Sequence, residues 1–194
     1  MDNSGYYDYA PTVSMARSVV LGGTLSVPFR EIGYELAALT GVRLIDLDHW
    51  LEHFLGRSLW DYRQSLKDPK IRLLEYQILQ KALNSSPKSL ILAGEGTLSH
   101  KASLEAIRTN SALVFLNLPP MTAFQNTLDK IEEKGPNFFP YIETPLNTFD
   151  QILPLLKSLN DAELIADQLF DMEVMSSRSV LKTIHSLFPK LSAS

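Results

Sequence analysis

The stretch Val19–Ala37, VVLGGTLSVPFREIGYELA, decides how the rest of the chain is read. Val19, Val20 and Leu21 form a β-branched, apolar run, Gly22-Gly23 follows, and IGYELA has the spacing of a helix after a short loop. This is the outline of a phosphate-binding loop: strand, glycines, helix. Such a loop closes on G-K-[ST], whereas here the corresponding residues are Pro28-Phe29-Arg30. The outline predicts a nucleotide-handling fold, and the substitution puts nucleotide handling itself in question.

Around this stretch the chain has the length and composition of one domain: 194 residues, 45% of them hydrophobic. Its net charge of -4 and pI near 5.6, with no run of Lys or Arg, argue against a nucleic-acid partner, because neutralising phosphates needs clustered cations. With no cysteine there is no disulfide and no thiolate metal site. No apolar run reaches the roughly 18 residues of a membrane span. A soluble, cytoplasmic protein is expected. Residues 1–17 lack the features of a secretory or transit segment and are read as an N-terminal tail, with Tyr6, Tyr7 and Tyr9 available for docking. Residues 18–194 are read as the domain.

Short apolar runs alternate with segments of helical period, the pattern of a parallel sheet with crossover helices. Strands are predicted at 18–21, 43–45, 89–92, 112–116 and 162–165. Helices are predicted at 30–40, 48–54, 58–66, 69–83, 101–108, 121–133, 148–159 and 177–188, the last ending before Pro189. In an open parallel sheet, ligands sit beyond the carboxyl ends of the strands. Attention therefore falls on Gly22-Gly23, Asp46-Leu47-Asp48 and Gly94-Glu95-Gly96. The Pro- and Gly-rich EEKGPNFFPYIETP has the length of a lid, about 133–147.

In this order, LGG into IGYELA, LIDLD, LEHFLGRSLWDYR, IRLLEYQIL, LAGEG and LVFLNLPP resemble the shikimate kinases, P-loop phosphotransferases of the nucleoside-monophosphate-kinase fold. The resemblance spans about 19–188. It implies a three-layer α/β/α domain with a five-stranded parallel sheet of order 2-3-1-4-5, and a place in aromatic amino acid biosynthesis. It places Asp46 at a magnesium-associated carboxylate and Asp48 at the carboxylate that binds the substrate's ring hydroxyls. Arg72 falls on the arginine that clamps the substrate's carboxylate, Glu75 on a glutamate that orients it, and Gly94 and Gly96 on glycines whose N–H groups approach the substrate. Simpler readings stand beside these. A D-x-D after a strand serves as a helix N-cap, and Arg72 with Glu75 makes an ordinary i,i+3 surface pair.

Aligned on Gly33, the resemblance sets Gly23 at the first loop glycine, Pro28 at the last, Phe29 at the lysine and Arg30 at the magnesium-binding Ser/Thr. Proline has no N–H to give a phosphate, phenylalanine brings no charge, and arginine cannot bind a cation. The eight arginines stand at 17, 30, 43, 57, 63, 72, 108 and 178, so none lies in the lid. Thr144 stands at the lid arginine of the resembled pattern, and Lys157 or Ser158 near a second one. Glu95 replaces the middle glycine of G-G-G, setting a carboxylate where an acidic substrate would lie. Ile71 stands where the pattern has an aromatic residue. His49 and His53 have the i,i+4 spacing of metal ligands but lack a third.

Phosphoryl transfer depends on cationic positioning. The expectation is a catalytically inactive, shikimate-kinase-like protein, a pseudokinase that keeps part of an acid-binding pocket for metabolite sensing or scaffolding. No cofactor and no metal are expected, and the partner is a small hydroxy-acid or a protein. The alternative is an active shikimate 3-kinase, or a related small-molecule kinase, using Mg-ATP with Asp46 at the magnesium. The pocket reading further expects Arg72 to point inward beside Asp48.

Overall fold

A computed structural model describes residues 15–62 and 69–193. Five strands, β1 (Ser18–Gly23), β2 (Leu44–Asp46), β3 (Leu90–Leu92), β4 (Ser111–Asn117) and β5 (Gln168–Asp171), form one sheet in the order β2-β3-β1-β4-β5. All neighbours are parallel, with Val20 opposite Ile91 on one side and Leu113 on the other. The order expected from the resemblance is the order observed.

A parallel sheet covered on both faces needs strands that are apolar throughout, and β1, β3 and most of β4 meet this requirement. Val19 and Leu21, Leu90 and Leu92, Val114 and Leu116 face one core, while Val20, Ile91, Leu113 and Phe115 face the other. The first core is roofed by α1 (Phe29–Thr40), α7 (Pro120–Lys134) and α9 (Ser177–Leu191), through Ile32, Leu36, Ala123, Val180 and Ile184. The second is roofed by α2 (Leu47–Leu55), α4 (Pro69–Leu83), α6 (Lys101–Asn110) and α8 (Leu153–Ile165). Two short helices, α3 (Leu59–Tyr62) and α5 (Glu95–Leu98), complete the set among the described residues.

Three expectations need correction. Residues 162–165 are the last turn of α8, because Leu156, Leu159 and Ala162 continue a buried face at a spacing of three. The fifth strand is Gln168–Asp171, an edge strand in which only Phe170 is buried, so its sequence carries little apolar signal. Helix α9 runs through Pro189 to Leu191; a proline this close to a C-terminus removes only one hydrogen bond. The helix expected at 58–66 is seen as α3, its remainder from 63 lying outside the described residues, as do residues 1–14 of the expected tail.

The carboxyl ends of β1, β2 and β3 bring Gly23, Asp46 and the Gly94–Gly96 turn to one edge. The segment expected as a lid has few regular elements, a single 3₁₀ turn at Pro136–Phe138, yet it is not detached from the domain. Phe139, Ile142 and Leu146 are buried in the same core as Leu25, Val27 and Phe29. Leu25→Ala should therefore lower the unfolding free energy by about 2–5 kcal/mol, as large-to-small changes at fully buried positions do. Urea denaturation read by circular dichroism measures it.

Candidate active site and its replacement residues

The loop from Gly22 to Pro28 is built as a packed element. Gly23 ends β1 opposite Leu116, and the next amide, Thr24 N–H, donates to the Leu116 carbonyl at 2.9 Å. The Thr24 hydroxyl accepts from Leu118 N–H at 2.9 Å. Leu25, Val27 and Phe29 all turn into the core. Ser26, at φ 66°, is pinned from α7 by Thr127 Oγ1 at 2.8 Å and by Lys130 Nζ, which donates to its carbonyl at 3.1 Å. Pro28 is the N-cap of α1 and offers no side-chain cap.

Arg30 leaves the first turn of α1 over the ring of Phe29. Its guanidinium lies 4.6 Å from the Phe29 ring centroid and meets two carboxylates. Nε donates to Asp46 Oδ2 at 3.2 Å, and a second guanidinium nitrogen donates to Asp48 Oδ2. The side chains of Asp46 and Asp48 are 11% and 13% exposed against 36% for Arg30. Asp46 also receives Tyr34 Oη at 3.3 Å and, as the N-cap of α2, His49 N–H at 3.4 Å. Asp46 thus caps a helix, as the simpler reading of the D-x-D has it, and also joins a cluster of charged groups. Burial pushes the Asp48 carboxyl up to about 7; Arg30 opposes this, while Asp46, Glu95 and Glu75 add to it. Burial alone would lower the Arg30 pKa, but Asp48 and Asp46, followed by Glu95, more than reverse that and raise it.

Arg72 is placed elsewhere. It donates to Glu75 Oε2 at 2.9 Å and to the Gly96 carbonyl at 2.9 Å, and its guanidinium lies 5.4 Å from the Tyr141 ring centroid. The Tyr141 hydroxyl donates to Glu75 Oε1 at 2.5 Å. Glu75 is buried, so this i,i+3 pair is an internal link rather than a surface pair. Arg72 points inward, to buried Glu75, and lines a hollow with Tyr76 and His100, while the partner of Asp48 is Arg30. Tyr141, from the expected lid, lies among these groups, its hydroxyl pKa raised by burial and then by Asp48 and Glu75. Two glycines make this packing feasible. A Cβ at Gly94 would collide with the Asp48 carboxylate, and one at Gly96 with Tyr141 Oη and Glu75 Oε1.

What is left open is a cleft of about 480 Å³, with Arg30, Asp46, Asp48, Glu95, Trp60 and Lys130 among its walls. That volume suits a small metabolite. Lys130 also faces the Phe138 ring, 5.5 Å from its centroid, and burial lowers its pKa. Thr144 and Lys157 are exposed, and Ser158 Oγ donates to its own helix at Leu155 O. His49 lies 4.0 Å from Glu52, and among the described residues no group of three His, Cys, Asp or Glu is arranged to hold a metal. Sequence reasoning did not find Tyr34, Lys130 or Tyr141; a tyrosine in a loop-like stretch carries no signal of where it will pack.

A family model described as shikimate kinase matches residues 30–137, more than half of the chain. The chain belongs to the shikimate kinase family. The matched stretch begins at Arg30 and leaves out the altered loop before it. The shikimate kinase of Dictyoglomus turgidum is 24% identical over 152 residues, covering 76% of this chain and 86% of that one. Among solved structures, shikimate kinase from Acinetobacter baumannii in complex with shikimate gives a TM-score of 0.73 at 20% identity, covering 93% of this chain and 95% of that one. The enzyme from Bacteroides thetaiotaomicron gives 0.70 at 17%, covering 90% and 97%. These structural likenesses concern the fold.

The family's Mg-ATP does not fit the residues present at the loop. Apolar side chains fill it, Pro28 has no N–H, and the charge on Arg30 stands against Asp46, the carboxylate that the resemblance places at the magnesium. One consequence is measurable in pH. Because the folded Asp48 carboxyl titrates near 7 and the ordinary value is 3.8, the folded chain binds this proton more tightly than the unfolded chain. Its contribution to stability is full below about pH 4 and is lost as pH rises through about 7. Asp48→Asn should flatten the stability profile across that window, as urea titrations at successive pH values would show.

Proposed function

We propose that this family member has lost ATP-dependent phosphoryl transfer and uses the fold to bind a small hydroxylated metabolite. The observation that carries the reading is the loop before α1. Leu25, Val27 and Phe29 pack with Phe139, Ile142 and Leu146 in one core, so the amide nest and lysine that a triphosphate needs have become a structural plug. Among the described residues no arginine lies in the 133–147 segment to stabilise a transferring phosphoryl group.

The binding half of the proposal rests on the cleft. Asp46, Asp48 and Glu95 supply acceptors for hydroxyl groups, and Arg30 and Lys130 supply donors on the same walls. The A. baumannii relative was solved with shikimate, which makes small hydroxy-acids the first ligands to try. Arg72 does not serve as their clamp in this conformation, being engaged by Glu75 and the Gly96 carbonyl. An acid would have to reach Arg30 past Glu95, so its affinity is expected to be weak.

Mg-ATP or Mg-ADP at millimolar concentration should leave the melting temperature unchanged. A nucleotide at 100 times its dissociation constant would stabilise by about 2.7 kcal/mol, an effect thermal shift cannot miss. A coupled assay should detect no phosphorylation of shikimate. Phe29→Lys alone should not restore turnover, since Pro28, Arg30 and Thr144 remain and such groups act as a unit. Turnover by the unmodified chain, or a clear rise in melting temperature with Mg-ATP, would return the protein to the active kinases.

A further inference from the structure

We infer that Arg30 is a tethered replacement for a divalent cation, holding Asp46 and Asp48 as a permanently metal-free pair. The inference rests on the reading above and names what has taken over the charge balance of the altered site. Asp46 and Asp48 are two residues apart at the end of β2 and the start of α2, and both face the cleft. Two carboxylates so placed, mostly out of water, need a cation between them. Arg30 provides it from α1, with Nε on Asp46 at 3.2 Å and another guanidinium nitrogen on Asp48.

A hydrated divalent ion and this guanidinium cannot share the position. The ion would have to approach the carboxylate oxygens to about 2.0–2.6 Å, and Oδ2 of each aspartate already faces an arginine nitrogen. Oδ1 of Asp46 is directed at His49 N–H. Geometry also explains why arginine suits this place. Its planar fork reaches both partners, it keeps its charge at any working pH, and its flat face rests near the Phe29 ring. Because the cation is covalently part of the chain, one positive charge faces the pair regardless of metal concentration. The cleft beside it is thereby set for a ligand that meets guanidinium N–H groups and carboxylates together.

Mn²⁺ titration followed by water-proton relaxation tests this without reference to turnover. The unmodified chain should show no Mn²⁺ site that depends on Asp46 or Asp48. Arg30→Met, which keeps the bulk and removes the charge, should bind Mn²⁺ at least about tenfold more tightly than the unmodified chain, and Asp48→Asn added to it should abolish the gain. Arg30→Lys, whose ammonium is a point charge without the two-pronged reach, should show a smaller gain. The inference is overturned if the unmodified chain binds Mn²⁺ and Asp46→Asn removes that binding, or if the folded Arg30 variants gain nothing. The first arm uses the native chain and decides even if Arg30→Met fails to fold. A metal site in the unmodified chain would leave the loss of nucleotide chemistry standing, whereas Mg-ATP turnover would remove that reading first.

Discussion

One guanidinium between two half-buried carboxylates governs the arrangement of this site. Arg30 ties the first turn of α1 to the end of β2 and the first turn of α2, with Tyr34 of α1 adding a second bond to Asp46. Its neighbour Phe29 is buried in the core, with its ring under the Arg30 guanidinium. The two substitutions therefore act together on one backbone segment. Phenylalanine adds apolar contacts to the core, and arginine, resting on its ring, supplies a positive charge to the two acids. An ionic site that depends on a solvent-borne cation becomes one that carries its own.

The plug and the segment over it depend on each other. Phe139, Ile142 and Leu146 have little regular structure to hold them, and a stretch of this kind stays in place only when it buries apolar side chains. They do so in the core that also holds Leu25, Val27 and Phe29. Lys130 completes the link by donating to the Ser26 carbonyl from α7, at a residue whose positive φ a free loop would avoid. What opens and closes in a phosphotransferase is here joined to the central core.

Much of this was legible in the sequence because it follows from period and punctuation. The alternating apolar runs in β1, β3 and β4 specify a two-faced parallel sheet, and the glycine pair and D-x-D mark its functional edge. The β5 error came from the same rule: an edge strand with one buried side chain leaves weak periodicity, while the adjacent helix end is more apolar. Side-chain pairing was less legible. Arg30 was recognised as a cation in an altered loop, but its two partners come from 16 and 18 residues away, a choice only the packed structure makes. For Arg72 the i,i+3 spacing to Glu75 allowed both a surface pair and an inward arginine oriented by Glu75, and the structure has it on buried Glu75. What the sequence could not convey was that Glu75 is buried and that Tyr141, 66 residues further on, shares it.

The glycines of the Gly94-Glu95-Gly96 turn bear on how the family pattern should be interpreted. In a kinase their lack of side chains lets backbone N–H groups approach a substrate. In this chain both positions are required for a different reason: any side chain at Gly94 would strike the Asp48 carboxylate, and any at Gly96 would strike Tyr141 and Glu75. Arg72 shows the same exchange, its guanidinium now balancing a buried glutamate and a backbone carbonyl. Leaving Glu75 buried without that partner would be strongly destabilising. Residues that match a ligand-binding motif are thus held in place by contacts within the fold. Their presence is consistent with lost chemistry, and the substitutions at Pro28, Phe29 and Arg30 carry more information about function than the matches do.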